Sequence, residues 1–314
     1  MQATDTYRRP AFLLNAHLET IYPAAFRTVQ AAEPMQERIT TPDQDFLDLD
    51  WYQKGSDKLV IVSHGLEGNS RRPYVLGMVK AFTESGFDAL TWNYRGCGIE
   101  MNKQVRFYHS GATDDLNHIV SHALAQKKYR SISLVGFSLG GNLTLKYLGE
   151  PYESVKAVSH AVAISVPLDL DSSCTALSRP HNWIYVRRFL KSLKSKVRDK
   201  AKLMTLPIET DLSNIKTLRQ FDDAFTAPLH GFKDATDYYA KNSSLIFLPA
   251  IKVHTLLINA YNDPFLSLQC LPRIDNPNIT TLYPRHGGHV GFASFNRNSL
   301  YWSEMQALAF CRQL

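Results

Sequence analysis

Five continuous apolar runs punctuate the chain: Lys58–Ser63, Asp88–Asn93, Ser131–Gly136, Ala157–Val166 and Val253–Ala260. Runs of this length without polar alternation are expected of strands covered on both faces. Helical patterns lie between them. Arg72–Ser85 stops before Gly86, Thr113–Lys127 opens on a threonine followed by two acids, and Leu139–Leu148 closes before Gly149 and Pro151, all ordinary helix boundaries. Repeated strand–helix–strand order predicts an α/β fold, a mostly parallel sheet flanked by helices on right-handed crossovers.

Two regions depart from this rhythm. Before Lys58, Arg38–Thr41 and Phe46–Tyr52 are separated by Pro-Asp-Gln-Asp and predict a leading antiparallel hairpin. From about 167 to 249 no β-rich run occurs and the pattern is helical and polar. A structureless loop of that length does not suit a compact domain, so the segment predicts a helical cap inserted between sheet strands. Asn278–Tyr283 reads as the last strand. Residues 1–314 then form a single domain carrying that cap.

Composition narrows the function. With 44% apolar and 20% charged residues, the chain is neither disordered nor of low complexity. No apolar run approaches the roughly 18 residues of a membrane helix, and the N-terminal stretch lacks the build of a secretion signal, so a soluble cytoplasmic protein is expected. Cys97, Cys174, Cys270 and Cys311 are widely spaced, which suits reduced, mostly buried thiols rather than a zinc site or a disulfide framework. The net charge of +6 is local: residues 181–202 hold eight Lys or Arg against Asp199 alone, leaving the rest of the chain near neutral. That excludes a broad nucleic-acid-binding surface.

One G-x-S-x-G, Gly136-Phe137-Ser138-Leu139-Gly140, stands where a predicted strand meets a predicted helix. A sharp turn there exposes the serine hydroxyl, and the helix N-terminus faces any negative charge that develops beside it. Such a serine requires a base and an orienting acid. Asp263 follows the strand Val253–Ala260 in Tyr-Asn-Asp-Pro and is the candidate acid, with Asp169 as rival. His289, among glycines in the loop after the last strand, is the candidate base, with His286 as rival. Ser63-His64-Gly65-Leu66-Glu67-Gly68 follows another strand, and the backbone N–H groups of Leu66 and Leu139 are the candidate oxyanion donors. No H-E-x-x-H, C-x-x-C or dinucleotide fingerprint is present, so no metal or cofactor is expected.

The segments PAFLLNAHLETIYP (10–23), SHGLEGNS (63–70), NYRGC (93–97), GFSLGGN (136–142), KYLGE (146–150), FDDAFTAPLHGFKDATDYYAKNSS (221–244) and HGGHVGF (286–292) resemble the α/β-hydrolase superfamily, and within it the YheT-like group. The resemblance implies an eight-strand-type sheet, a helical cap, no cofactor, and a triad falling on Ser138, Asp263 and His289. The expected activity is hydrolysis of carboxylic esters, with a lipid ester hydrolysed or its acyl group transferred as the alternative enzyme, and a non-catalytic binding protein as the alternative class. Oligomeric state, acyl length and leaving group stay open.

The basic segment has its own pattern. Val186, Phe189, Leu190, Leu193 and Val197 fall on one helical face, with Arg188, Lys191, Lys194 and Arg198 largely off it. One reading packs the apolar face on the cap and leaves the cations as a solvated outer face. The other has the helix rim the pocket and touch anionic membrane through residues 181–202.

Overall fold

A computed structural model describes residues 7–208 and 210–312. Part of the N-terminal stretch considered for a secretion signal, residues 1–6, lies outside the described residues. The strands are β1 (Met35–Thr40), β2 (Phe46–Tyr52), β3 (Lys58–Ser63), β4 (Asp88–Asn93), β5 (Ser131–Phe137), β6 (Val158–Ile164), β7 (His254–Ile258) and β8 (Ile279–Leu282). They form one sheet in the order β1-β2-β4-β3-β5-β6-β7-β8. β2 pairs antiparallel with β1 and β4, and all other pairings are parallel. The hairpin and every predicted parallel strand are present, with β6 and β7 ending two residues earlier than their apolar runs. The extra residues, such as Ser165 and Ala260, belong to the turns that carry the site.

Each central strand feeds two cores, because successive side chains point to opposite faces. Leu59, Ile61, Ile132 and Leu134 pack on one face with α3 (Thr113–Ala125) and α4 (Leu139–Gly149). Val60, Val62, Val135 and Phe137 pack on the other with α2 (Pro73–Thr83) and α10 (Trp302–Cys311). Burial on both sides explains the unbroken apolar runs.

Two flanking helices have no counterpart in the sequence reading. α1 (Ala16–Phe26) contains Pro23, and its exposed face carries Leu18, Ile21 and Phe26, so no clear apolar stripe marks it. α10 is apolar nearly all round.

Between β6 and β7 the described residues form helices and turns without a strand: α5 (Leu170–Leu177), α6 (Trp183–Ala201), α7 (Leu218–Phe221), α8 (Ala227–Leu229) and α9 (Ala235–Asn242). Leu190 and Val197 of α6 are buried against Leu218, Phe221, Phe225 and Phe265, with Val186, Phe189 and Leu193 partly buried beside them. The apolar face thus packs as its spacing predicts. The cations do not all lie outside. Lys196 Nζ sits 2.6 Å from Glu67 Oε1 and Lys200 Nζ donates to Asn102 O and Oδ1 at 2.8 and 2.7 Å. This corrects the solvated-face reading for those two residues: they flank Val197 closely enough for their stems to follow the apolar stripe inward. Arg187, Arg188, Lys191 and Arg198 are exposed.

Candidate active site

The site is built where the parallel strands end at their C-terminal edge, as expected for open α/β sheets. Ser138 follows β5 with φ 53° and ψ −118°, a left-handed backbone that costs a non-glycine residue about 1–3 kcal/mol. Packing enforces it. A Cβ on Gly136 would stand 2.2 Å from Gly140 O, and one on Gly140 would stand 2.5 Å from the carbonyl oxygens of Ser63 and His64. Only hydrogen at both positions lets the start of α4 press against β3 and β5. Behind the serine, buried Asn142 donates to Ser110 O and Asn242 O at 2.9 and 2.8 Å and accepts from Ser244 N at 2.9 Å, fastening the base of the cap beneath the elbow.

Ser138 Oγ lies 2.9 Å from His289 Nε2, and His289 Nδ1 lies 2.8 Å from Asp263 Oδ2. Asp263 is buried and its other oxygen accepts from Phe265 N at 2.9 Å. The Phe265 ring stacks on His289 at 4.0 Å between centroids, covering one face of the imidazole. The rivals are placed elsewhere. Asp169 caps α5, accepting from Ser172 N at 2.8 Å, and His286 points to Asn262 and Glu19 rather than to the serine.

The Gly65–Leu66 turn abuts the nucleophile: a Cβ on Gly65 would stand 3.2 Å from Ser138 Cβ. The N–H groups of Leu66 and Leu139 have no acceptor among the described residues, whereas those of Gly65, Glu67 and Gly68 are taken by Tyr74 Oη, Tyr108 Oη and Gly65 O. Neighbouring His64 is structural. Its Nδ1 lies 2.8 Å from Gly65 O, Tyr94 N donates to its Nε2, and complete burial depresses its pKa to about 3, keeping it neutral.

Glu19 and Thr20 of α1 are site residues that sequence reasoning missed. Buried Glu19 accepts from Gly287 N at 2.5 Å and from Asn262 Nδ2 at 3.1 Å, joining the loops of His289 and Asp263. Thr20 Oγ1 accepts from His289 N at 2.9 Å. Glycine is needed beside them, since a Cβ on Gly291 would stand 2.2 Å from Glu19 O. The available signal was a polar Glu-Thr pair in an otherwise apolar stretch, but nothing local says what such a pair reaches 268 residues away.

Two cavities meet at Ser138 and His289. One, about 150 Å³, runs under the cap between Leu177, Phe189, Leu193, Phe221, Phe225 and Phe265. The other, about 280 Å³, opens between α1, the Gly65–Gly68 turn and α6. Glu67, at the boundary, accepts from Tyr108 Oη at 2.7 Å and from Ser192 Oγ, besides pairing with Lys196. Lys196 Nζ also lies 3.1 Å from Cys97 Sγ. Burial pushes the Cys97 and Cys174 thiols up, away from the reactive thiolate form. No group of three or more metal-ligating side chains occurs among the described residues.

A family model described as alpha/beta hydrolase fold matches residues 58–294. The chain is 34% identical over 287 residues to YheT of Escherichia coli (strain K12), an esterase by assignment, spanning 88% of this chain and 84% of that protein. It is 27% identical over 303 residues to the phospholipase ABHD3 of Mus musculus, spanning 92% of this chain and 74% of that one. Among solved structures, the Pyrococcus furiosus esterase Pf2001 superposes with a TM-score of 0.59 at 19% identity, over 91% of this chain and 98% of that one, a likeness of fold.

Proposed function

Because this chain belongs to the α/β-hydrolase family, we propose that it is a serine hydrolase of carboxylic esters that works through an acyl-enzyme. The observation that carries the reading is the unbroken relay from Ser138 Oγ through the His289 ring to Asp263, with contacts of 2.9 and 2.8 Å. Ser138 Oγ attacks the ester carbonyl while His289 Nε2 takes its proton. Asp263 holds Nδ1–H and stabilises the imidazolium. The carbonyl oxygen, now negative, is met by the free N–H groups of Leu66 and Leu139 and by the N-terminus of α4. Collapse of the tetrahedral intermediate expels the alcohol, which takes the proton from His289. Water, deprotonated by the same imidazole, then releases the acid and restores Ser138.

A lipid ester is the second reading, as hydrolase substrate or acyl donor. The aliphatic and aromatic lining of the cavity under the cap supports it, since such a slot suits an alkyl chain. Peripheral contact with anionic membrane belongs to this reading, through the exposed Arg187 and Lys191 within residues 181–202. The expected compartment is cytoplasmic, and no described helix is long and apolar enough to cross a membrane.

The test is turnover of a p-nitrophenyl ester by the unmodified protein and by Ser138→Ala. Loss of roughly 10⁶ in kcat, as when other triads lose their serine, is expected, with an unchanged thermal midpoint. Equal turnover above background by both proteins would overturn Ser138 as the nucleophile, and no turnover above background by either would leave the binding-protein reading. Repeating the assay with added alcohols separates transfer from hydrolysis by its ester product.

A further inference from the structure

The two cavities that meet at Ser138 differ in charge. Four cations and two carboxylates bear on the cavity between α1 and α6, and most of them cancel. Arg27 holds Glu304 through two hydrogen bonds of 2.6 and 2.9 Å and lies over the Tyr301 ring, so it is spent. Glu67 is matched by Lys196 at 2.6 Å. Arg72 and Arg188 remain. Both line the cavity together with Ser138 and His289, and neither has a carboxylate partner among the described residues. Arg72 is half-buried, and among the described residues its side chain makes one long hydrogen bond, of 3.3 Å, to the backbone oxygen of Glu67. Their fields converge near the nucleophile: both oppose the burial that pushes the Tyr74 hydroxyl up to about 12, and that hydroxyl accepts from Gly65 N beside Ser138. Two guanidinium groups without a carboxylate partner, Arg72 half-buried and Arg188 exposed, line this one cavity, where they attract an anion and can clasp it bidentately.

We infer that this second cavity is the leaving-group subsite, built for an ester whose alcohol portion carries an anion, a phosphate or a carboxylate, held by Arg72 and Arg188. The inference rests on the serine-hydrolase reading for the direction of attack. The acyl group then lies in the apolar cavity under the cap, and the departing oxygen faces the cationic one. His289, which lines both, stands where the departing oxygen must be protonated. Hydrolysis yields a free acid and an anionic alcohol.

Three esters with one acyl chain separate the possibilities: octanoyl glycerol, octanoyl glycerol phosphate and the octanoyl ester of lactate. The expected result is a higher kcat/KM for the anionic esters. In Arg72→Gln and Arg188→Gln the anionic-to-neutral ratio should fall by about 10-fold each, the order of one charge-assisted hydrogen-bonded contact, chiefly through KM. A response of the phosphate ester alone identifies phosphate as the anion, and a response of both identifies any anion of that size. An unchanged ratio in the double variant overturns the inference while Ser138-dependent turnover of octanoyl glycerol leaves the hydrolase reading standing. Calorimetric titration of Ser138→Ala with glycerol phosphate reads the site without chemistry. Saturable binding that disappears with both arginines supports the subsite even if no ester is turned over, and absent binding counts against it.

Discussion

Ser138, His289 and Asp263 stand on backbone, whereas the cap above them is held by side chains. On the sheet side, the left-handed conformation of Ser138 and the glycines at 136, 140 and 291 leave no alternative path for the chain. On the cap side, α6 is fixed by aromatic packing and by long reaches, Lys196 to Glu67 and Lys200 to Asn102. The first arrangement fixes where the three side chains stand relative to one another, which positioning of reacting groups requires. The second gives a roof whose shape can change with a few side chains while the reacting groups stay put. On the proposed reading, substrate choice resides in the cap and in α1, and chemistry in the strand ends.

The largest difference should appear at the two aspartates. Asp263→Asn is expected to lower kcat by roughly 10⁴, as in other triads whose acid becomes an amide. Asp169→Asn should leave kcat within a few-fold, because an N-cap aspartate and asparagine serve alike. Steady-state kinetics of the two variants decides between them.

Glu19 probes how the backbone half is anchored. Glu19→Ala strips acceptors from Gly287 N and Asn262, which should cost about 3 kcal/mol of stability. It should also lower kcat by about 10²-fold as His289 loses its position. Denaturant unfolding and kinetics on the same sample separate the two effects.

Lys196 probes the other half. Lys196→Met leaves Glu67 nearly buried without its cation, which should cost about 3 kcal/mol. Adding Glu67→Gln should recover part of that loss, and the double-mutant cycle measures the coupling. Triad chemistry on a short-chain ester should change far less than in Glu19→Ala.

The smallest effect concerns Asp222, a cap residue lining the apolar cavity. Burial pushes its pKa up from 3.8 to about 6, against the hydrogen bonds from Thr226 and Tyr239 that favour the charge. The folded state therefore binds more protons than the unfolded state between those values, and stability falls as pH rises from about 4 to about 6. Asp222→Asn should flatten that slope, read as the difference between the two proteins' unfolding free energies across the window.

The same division explains what the sequence made legible. The parallel strands were legible as apolar runs buried on both faces, and the elbow as two glycines around a serine at a strand end, whereas the order of the strands in the sheet was not read from the sequence. Asp263 was favoured by its turn at the C-terminal end of a strand, but the proline after it equally suits an Asx turn and Asp169 also follows a strand, so geometry was needed to separate them. His289 was separable from His286 because glycines surround it. Glu19, Thr20 and Lys196 act through contacts that span much of the chain, and no periodicity records such a reach. α1 hid because it buries Glu19 and Thr20 while exposing Leu18, Ile21 and Phe26, the reverse of the usual pattern. Lys200 hid because an apolar stem carries its charge to buried carbonyl oxygens.

A fluorophosphonate label located by peptide mass spectrometry reads out whether Ser138 is a nucleophile activated by His289. One adduct is expected, on the peptide containing Ser138, absent from Ser138→Ala and formed far more slowly in His289→Ala. Labelling of Ser138→Ala at the unmodified rate, or ester turnover by a protein that takes no label at Ser138, would contradict that role.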